Sequence, residues 1–161
     1  MAGLGARFGH TNVIARDWRR LASFYETVFE CIPVPPERDY SGDVAERGTG
    51  VPGAAFRGVH LRMPGLGPDG PTLEIYTYAT NLDPAATPAA NRVGWGHIAF
   101  VVDDVAAARA AVLEAGGRPL PGAEVVTTRT ADGRRVTWCY LADPEGNLIE
   151  LQSWSPPDSD E

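Results

Sequence analysis

Two histidines and two glutamates occupy matching places in the two halves of this chain. His10 opens the run Gly9-His10-Thr11-Asn12-Val13-Ile14-Ala15-Arg16-Asp17, and His97 opens Gly96-His97-Ile98-Ala99-Phe100-Val101-Val102-Asp103-Asp104, in the same register. Glu74 and Glu150 close the segments Pro68-Asp69-Gly70-Pro71-Thr72-Leu73-Glu74 and Pro144-Glu145-Gly146-Asn147-Leu148-Ile149-Glu150, where proline, acid, glycine and glutamate all coincide. A glutamate among apolar strand residues needs a partner, because burying a carboxylate unpaired costs several kcal/mol. Two imidazoles and two carboxylates form a nitrogen and oxygen donor set of borderline hardness. Such a set suits Zn, Ni, Co, Mn or Fe and leaves positions open for water or substrate. A lone strand histidine is more often a hydrogen-bonded structural residue, and a duplication can also copy hairpin anchors. The simultaneous copying of a His and a Glu favours a shared divalent metal.

The elements that must carry these four residues follow from periodicity. After Asp17 the apolar residues Trp18, Leu21, Tyr25 and Val28 recur at helical steps, and after Asp104 so do Val105, Ala108, Val112 and Ala115, with each aspartate placed to cap its helix. Residues 58–63 and 135–141 read as strands, so each half is βαβββ and the fold class is α+β. Strand alternation puts His10 on a face with Phe8 and Asn12, and Glu74 with Thr72, Tyr76 and Tyr78. Leu73, Ile75, Ile149 and Leu151 then face the helices.

Residues 33–53, with four prolines and four glycines, read as a loop or lid that the second half replaces with the shorter stretch 117–122. The expected organisation is one domain over 1–161: module one about 7–78, a linker over 79–93, module two about 94–154, and a frayed acidic tail over 155–161. Secondary candidates are weaker. His60 is expected at the surface or a sheet edge rather than at the site, and Trp95, Tyr76, Tyr78, Trp138 and Trp154 are expected in packing rather than in a ligand pocket.

Composition narrows the class of function. The 161 residues are 43% hydrophobic and 22% charged with a net charge of −7, which excludes disordered and fibrous classes and disfavours nucleic acid and anionic membrane as partners. Cys31 and Cys139 form no spaced framework, and residues 1–8 lack the pattern of a signal peptide, so buried thiols and a cytoplasmic setting are expected.

The duplicated Gly-His and Asp motifs, with Asp143-Pro144-Glu145-Gly146-Asn147-Leu148-Ile149-Glu150, resemble the vicinal oxygen chelate superfamily. That group contains glyoxalase I, methylmalonyl-CoA epimerase, extradiol dioxygenases, and the bleomycin and fosfomycin resistance proteins. The resemblance covers roughly residues 8–154. It implies paired modules whose mixed sheet cups one divalent metal, with His10, Glu74, His97 and Glu150 at the ligand positions. Glutathione-using glyoxalases carry arginine and asparagine where this chain has Ile14 and Tyr78, so the resemblance does not extend to the glutathione adduct. Extradiol dioxygenases carry histidine where Glu74 stands, and the epimerases glutamine.

The activity implied is a metal-dependent lyase or isomerase. Its substrate is a small α-oxygenated carbonyl compound, passing through an enediolate or enolate. Glu150 is the expected base, with Glu74 returning the proton, and symmetry permits the reverse. The alternatives are a non-catalytic small-molecule binding or resistance protein and a dioxygenase. A homodimer is expected, because a symmetric copy is the commonest cover for exposed edge strands.

Overall fold

Asp17 and Asp104 set the entries of the two longer helices. In a computed structural model describing residues 8–84, 90–91, 94–130 and 132–156, Asp17 lies in extended backbone before α1 (Trp18–Phe29) and accepts from the Arg20 amide at 3.1 Å. Asp104 does the same before α3 (Val105–Glu114), accepting from Ala106 and Ala107 at 2.8 and 3.0 Å. Both caps satisfy amides that the first turn leaves without a helical partner.

The chain divides into two compact units, Met1–Asp83 and Pro84–Glu161. In the first unit β1 (His10–Ile14), α1, β2 (Ile32–Ser41), α2 (Asp43–Thr49), β3 (Ala55–Arg62) and β4 (Thr72–Tyr78) follow in sequence. Its sheet runs β1-β4-β3-β2, with β1 parallel to β4 and the other pairs antiparallel. In the second unit β5 (Ile98–Val101), α3, β6 (Arg118–Pro119), β7 (Val126–Arg129), β8 (Arg135–Ala142) and β9 (Leu148–Ser155) give a mixed sheet β5-β9-β8-β6, with β7 also pairing β8. The duplicated α+β plan expected from the sequence is therefore present in both units.

Alternation divides each sheet into an apolar and a polar face. In the first unit Leu61, Leu73 and Ile75 are fully buried, and α1 contributes Leu21, Phe24 and Tyr25 to the same core. Each such side chain is worth about 1.5–3 kcal/mol of burial. In the second unit Leu141, Ile149 and Leu151 are fully buried, and α3 adds Val105 and Val112. The opposite faces carry His10 and Glu74 in one unit and Glu150 in the other, as alternation requires.

Residues 33–53 correct the loop or lid expected from their prolines and glycines. They form most of β2 and all of α2. Proline is tolerated because β2 is an edge strand, where an absent amide costs no ladder hydrogen bond, and the pairing with β3 shifts register between Val34 and Arg38. The counterpart stretch 117–122 is likewise not only a turn, since it contains β6. Much of the expected linker (residues 85–89, 92 and 93) and most of the tail (157–161) lie outside the described residues, and β9 runs on to Ser155.

A buried carboxylate organises the turn ahead of β9. Asp143 accepts from the Glu145 and Asn147 amides, both at 2.9 Å, and from the Asn147 side-chain amide at 2.8 Å. The turn thereby starts β9 at Leu148 and sets the alternation that presents Glu150.

Candidate metal centre

Register alone brings the first histidine to the first glutamate. In the parallel β1/β4 ladder His10 faces Thr72, two residues before Glu74. His97 stands one residue before Ile98, whose partner Ile149 stands one residue before Glu150, so the offset is the same in the second unit. The duplication is therefore one of position within the sheet as well as of residue type.

In the first unit Glu74 Oε1 lies 3.4 Å from His10 Nδ1 and 3.3 Å from His60 Nε2. Glu74 is mostly covered at 14% side-chain exposure, while His10 stays half open at 53%. His60 corrects the surface or edge position expected for it. It sits on β3 directly opposite Glu74, one strand in from the edge, and its Nε2 is 2.7 Å from the Tyr76 hydroxyl. Burial pushes the His60 imidazole below its ordinary pKa, the Glu74 charge opposes this, and Arg38 and His10 reinforce it. Burial, the Glu74 charge and Tyr40 push the Tyr76 phenol up to about 12. The phenol keeps its proton at neutral pH and can donate it to a neutral His60. Alternation from the buried Leu61, together with the hairpin preceding Thr72, was the signal that could have placed His60 beside Glu74.

In the second unit His97 Nε2 lies 2.8 Å from Glu150 Oε2, with both side chains largely covered. Tyr140 faces Glu150 across the β8/β9 ladder, the place His60 holds opposite Glu74, and its ring lies 5.0 Å from that of His97. Burial first and the Glu150 charge second raise the Tyr140 pKa.

The aromatic candidates divide. Tyr76 and Tyr78 form a cluster with Tyr40 and Phe56 on the Glu74 face, Phe56 stacking on Tyr78 at 4.7 Å. Tyr40 and Phe56 had no distinguishing mark in the sequence. Trp138 bonds Thr128 at 3.1 Å and Trp154 lies under Arg134. Trp95 is 97% exposed, which corrects its expected place in packing. A hollow lined by Trp18, Ala22, Pro33 and Val59 lies on the helix side of the first sheet, away from Glu74.

Donor chemistry and spacing together test whether a metal fits. Two donors each ~2.1 Å from one cation stand roughly 3.0–3.4 Å apart. The His10–Glu74 and His97–Glu150 separations of 3.4 and 2.8 Å are close to that range. Each unit thus carries a carboxylate with an imidazole spaced to share an ion, and in the first unit His60, 3.3 Å from Glu74, meets the same spacing. Among the described residues no cluster of three or more His, Cys, Asp or Glu forms a metal cage by itself.

The model of the Glyoxalase/Bleomycin resistance protein/Dioxygenase superfamily matches residues 7–151. The chain belongs to this superfamily. Among solved structures it is similar to a glyoxalase family protein from Bacillus cereus, with a TM-score of 0.77 at 19% identity over 96% of this chain and 100% of that one. A glyoxylase/bleomycin resistance protein/dioxygenase domain from Frankia sp. EAN1pec gives a TM-score of 0.55 at 15% identity, covering 96% of this chain and 93% of that one. A glyoxalase I mutant from Zea mays gives 0.59 at 17% identity, covering 90% of this chain and 45% of that one. At these identities the likeness establishes the fold. No curated protein matches the sequence.

Proposed function

We propose that the chain is a metal-dependent lyase or isomerase acting on a small α-oxygenated carbonyl compound, with His10, Glu74, His97 and Glu150 as the ligands of one divalent ion. The observation that carries this reading is the His–Glu pair, repeated in both units at one ladder offset. A divalent ion bound by these donors supplies Lewis acidity, which eases deprotonation of a carbon beside a carbonyl.

This chain's residues do the rest. Glu150, held at the start of β9 by the Asp143 turn, takes the proton from carbon, and Glu74 returns it. His60, bonded through Nε2 to the Tyr76 hydroxyl, stands 3.3 Å from Glu74 on the same strand face. Ile14 and Tyr78 offer neither the guanidinium nor the amide of a glutathione site, so the substrate is a compound other than the glutathione adduct. The two free, buried cysteines fit a cytoplasmic setting, where we place a homodimer.

Exchange of the α-hydrogen of α-oxygenated carbonyl compounds in D2O tests the reaction without a known substrate. Glu150→Gln, which keeps an oxygen ligand and removes the base, is expected to slow exchange about 100-fold or more with the metal still bound. Exchange by the variant at the wild-type rate would move the base elsewhere. Binding without any exchange by the wild type would favour a sequestering protein.

A further inference from the structure

Only two buried side-chain polar atoms among the described residues lack a hydrogen-bond partner, and both belong to arginines: Nη1 of Arg38 and Nε of Arg62. Both residues stand on the polar face of the first sheet. Arg38 pairs across the ladder with Gly58, and His60 and Arg62 follow Gly58 at successive even positions on β3. Two guanidinium groups therefore flank the strand position of His60, the residue facing Glu74.

The acids beside Arg38 in sequence do not neutralise it. Glu37 is paired with Arg19 at 2.7 Å, and Asp39 with Arg57 at 2.9 Å. Gly58 puts no side chain against Arg38. A Cβ at that position would lie 2.5 Å from the Tyr76 ring, so the space beside Arg38 and Tyr76 depends on the glycine.

A buried guanidinium N–H without an acceptor gives up its hydration without compensation, and such an atom calls for a specific explanation. We propose that Arg38 receives an oxyanion, a carboxylate or a phosphate, carried by the ligand of this face. The planar fork of arginine matches either group. The inference rests on the function proposed above and deepens it: the α-oxygenated carbonyl compound is an anionic one, with its charged group at Arg38 and its reacting carbon toward Glu74.

The test is a titration of the full chain, in excess chelator, with pyruvate, with inorganic phosphate and with uncharged methyl pyruvate, followed through the Arg38 side-chain NMR signal and by calorimetry. Pyruvate or phosphate is expected to bind and shift the Arg38 signal, with methyl pyruvate at least tenfold weaker. The tighter of the two anions identifies the group. Arg38→Met should weaken the anion at least tenfold, while Arg57→Met leaves it unchanged. Arg38→Lys, which keeps the charge without the fork, should fall between and carries the test if the methionine variant does not fold. Equal binding by wild type and Arg38→Met or Arg38→Lys, or no binding of either anion by wild type, would overturn the proposal. Because chelator is present, loss of the metal reading leaves this outcome untouched.

Discussion

Cys31, 3% exposed beyond the end of α1, shows what burial alone does to a titrating group. Desolvation, with Glu26 adding to it, pushes its thiol up to about 11. A raised acid pKa keeps the folded form neutral, so this stability is present below the unfolded thiol's pKa of 9.0 and is lost as pH rises toward 11. A rise from 9.0 to about 11 corresponds to about 2–3 kcal/mol. Denaturant unfolding between pH 8 and 11 should therefore show a steeper fall in stability for the wild type than for Cys31→Ala, in which the raised Cys139, Tyr76 and Tyr140 remain, and parallel curves would exclude this source. At the same scale, residue type and repetition marked His10 with Glu74 and His97 with Glu150, and each pair stands together in its own unit. His60 was not marked, because nothing in its type distinguishes a histidine facing a carboxylate from one facing solvent; the β3/β4 register decides it. Arg38 was hidden for the same reason.

Elements were legible where a cap or an alternation stood close in sequence, and obscure where an edge changed the rules. Asp17 and Asp104 announced their helices, and Leu73-Glu74-Ile75 announced a two-faced strand. The prolines of residues 33–36 pointed to a loop because an interior strand could not hold them. The edge position of β2 removes that objection, and edge position is a property of the assembled sheet. Two variants test how elements present the site. Asp143→Ala strands two amides and a side-chain amide of the β8/β9 turn, so thermal unfolding should show a loss of about 2–4 kcal/mol. An unchanged Tm would show that the turn forms without it. Gly58→Ala forces a Cβ into the Ile75 carbonyl and the Tyr76 ring, at a cost of about 1–3 kcal/mol. Tyr76 aromatic NMR signals that stay in place in that variant would show the ring has room to spare.

At the scale of the whole molecule, duplication made the architecture readable, because two weak local patterns in one register reinforce each other. The second unit departs from the first where its strand opposite β8 is divided into β6 and β7, which no motif marked. Val101 on β5 is 70% exposed, and sedimentation at micromolar concentration tests the proposed homodimer, with a dimer expected. A monomer there would remove the dimer alone. The shared metal is the central claim, and elemental analysis of protein purified without added metal tests it most directly. About one divalent ion per chain is predicted for wild type, with loss of most of it in both His10→Ala and His97→Ala, since each removes one of the two proposed nitrogen ligands. Metal-free wild-type protein, or full retention in both variants, would contradict the account.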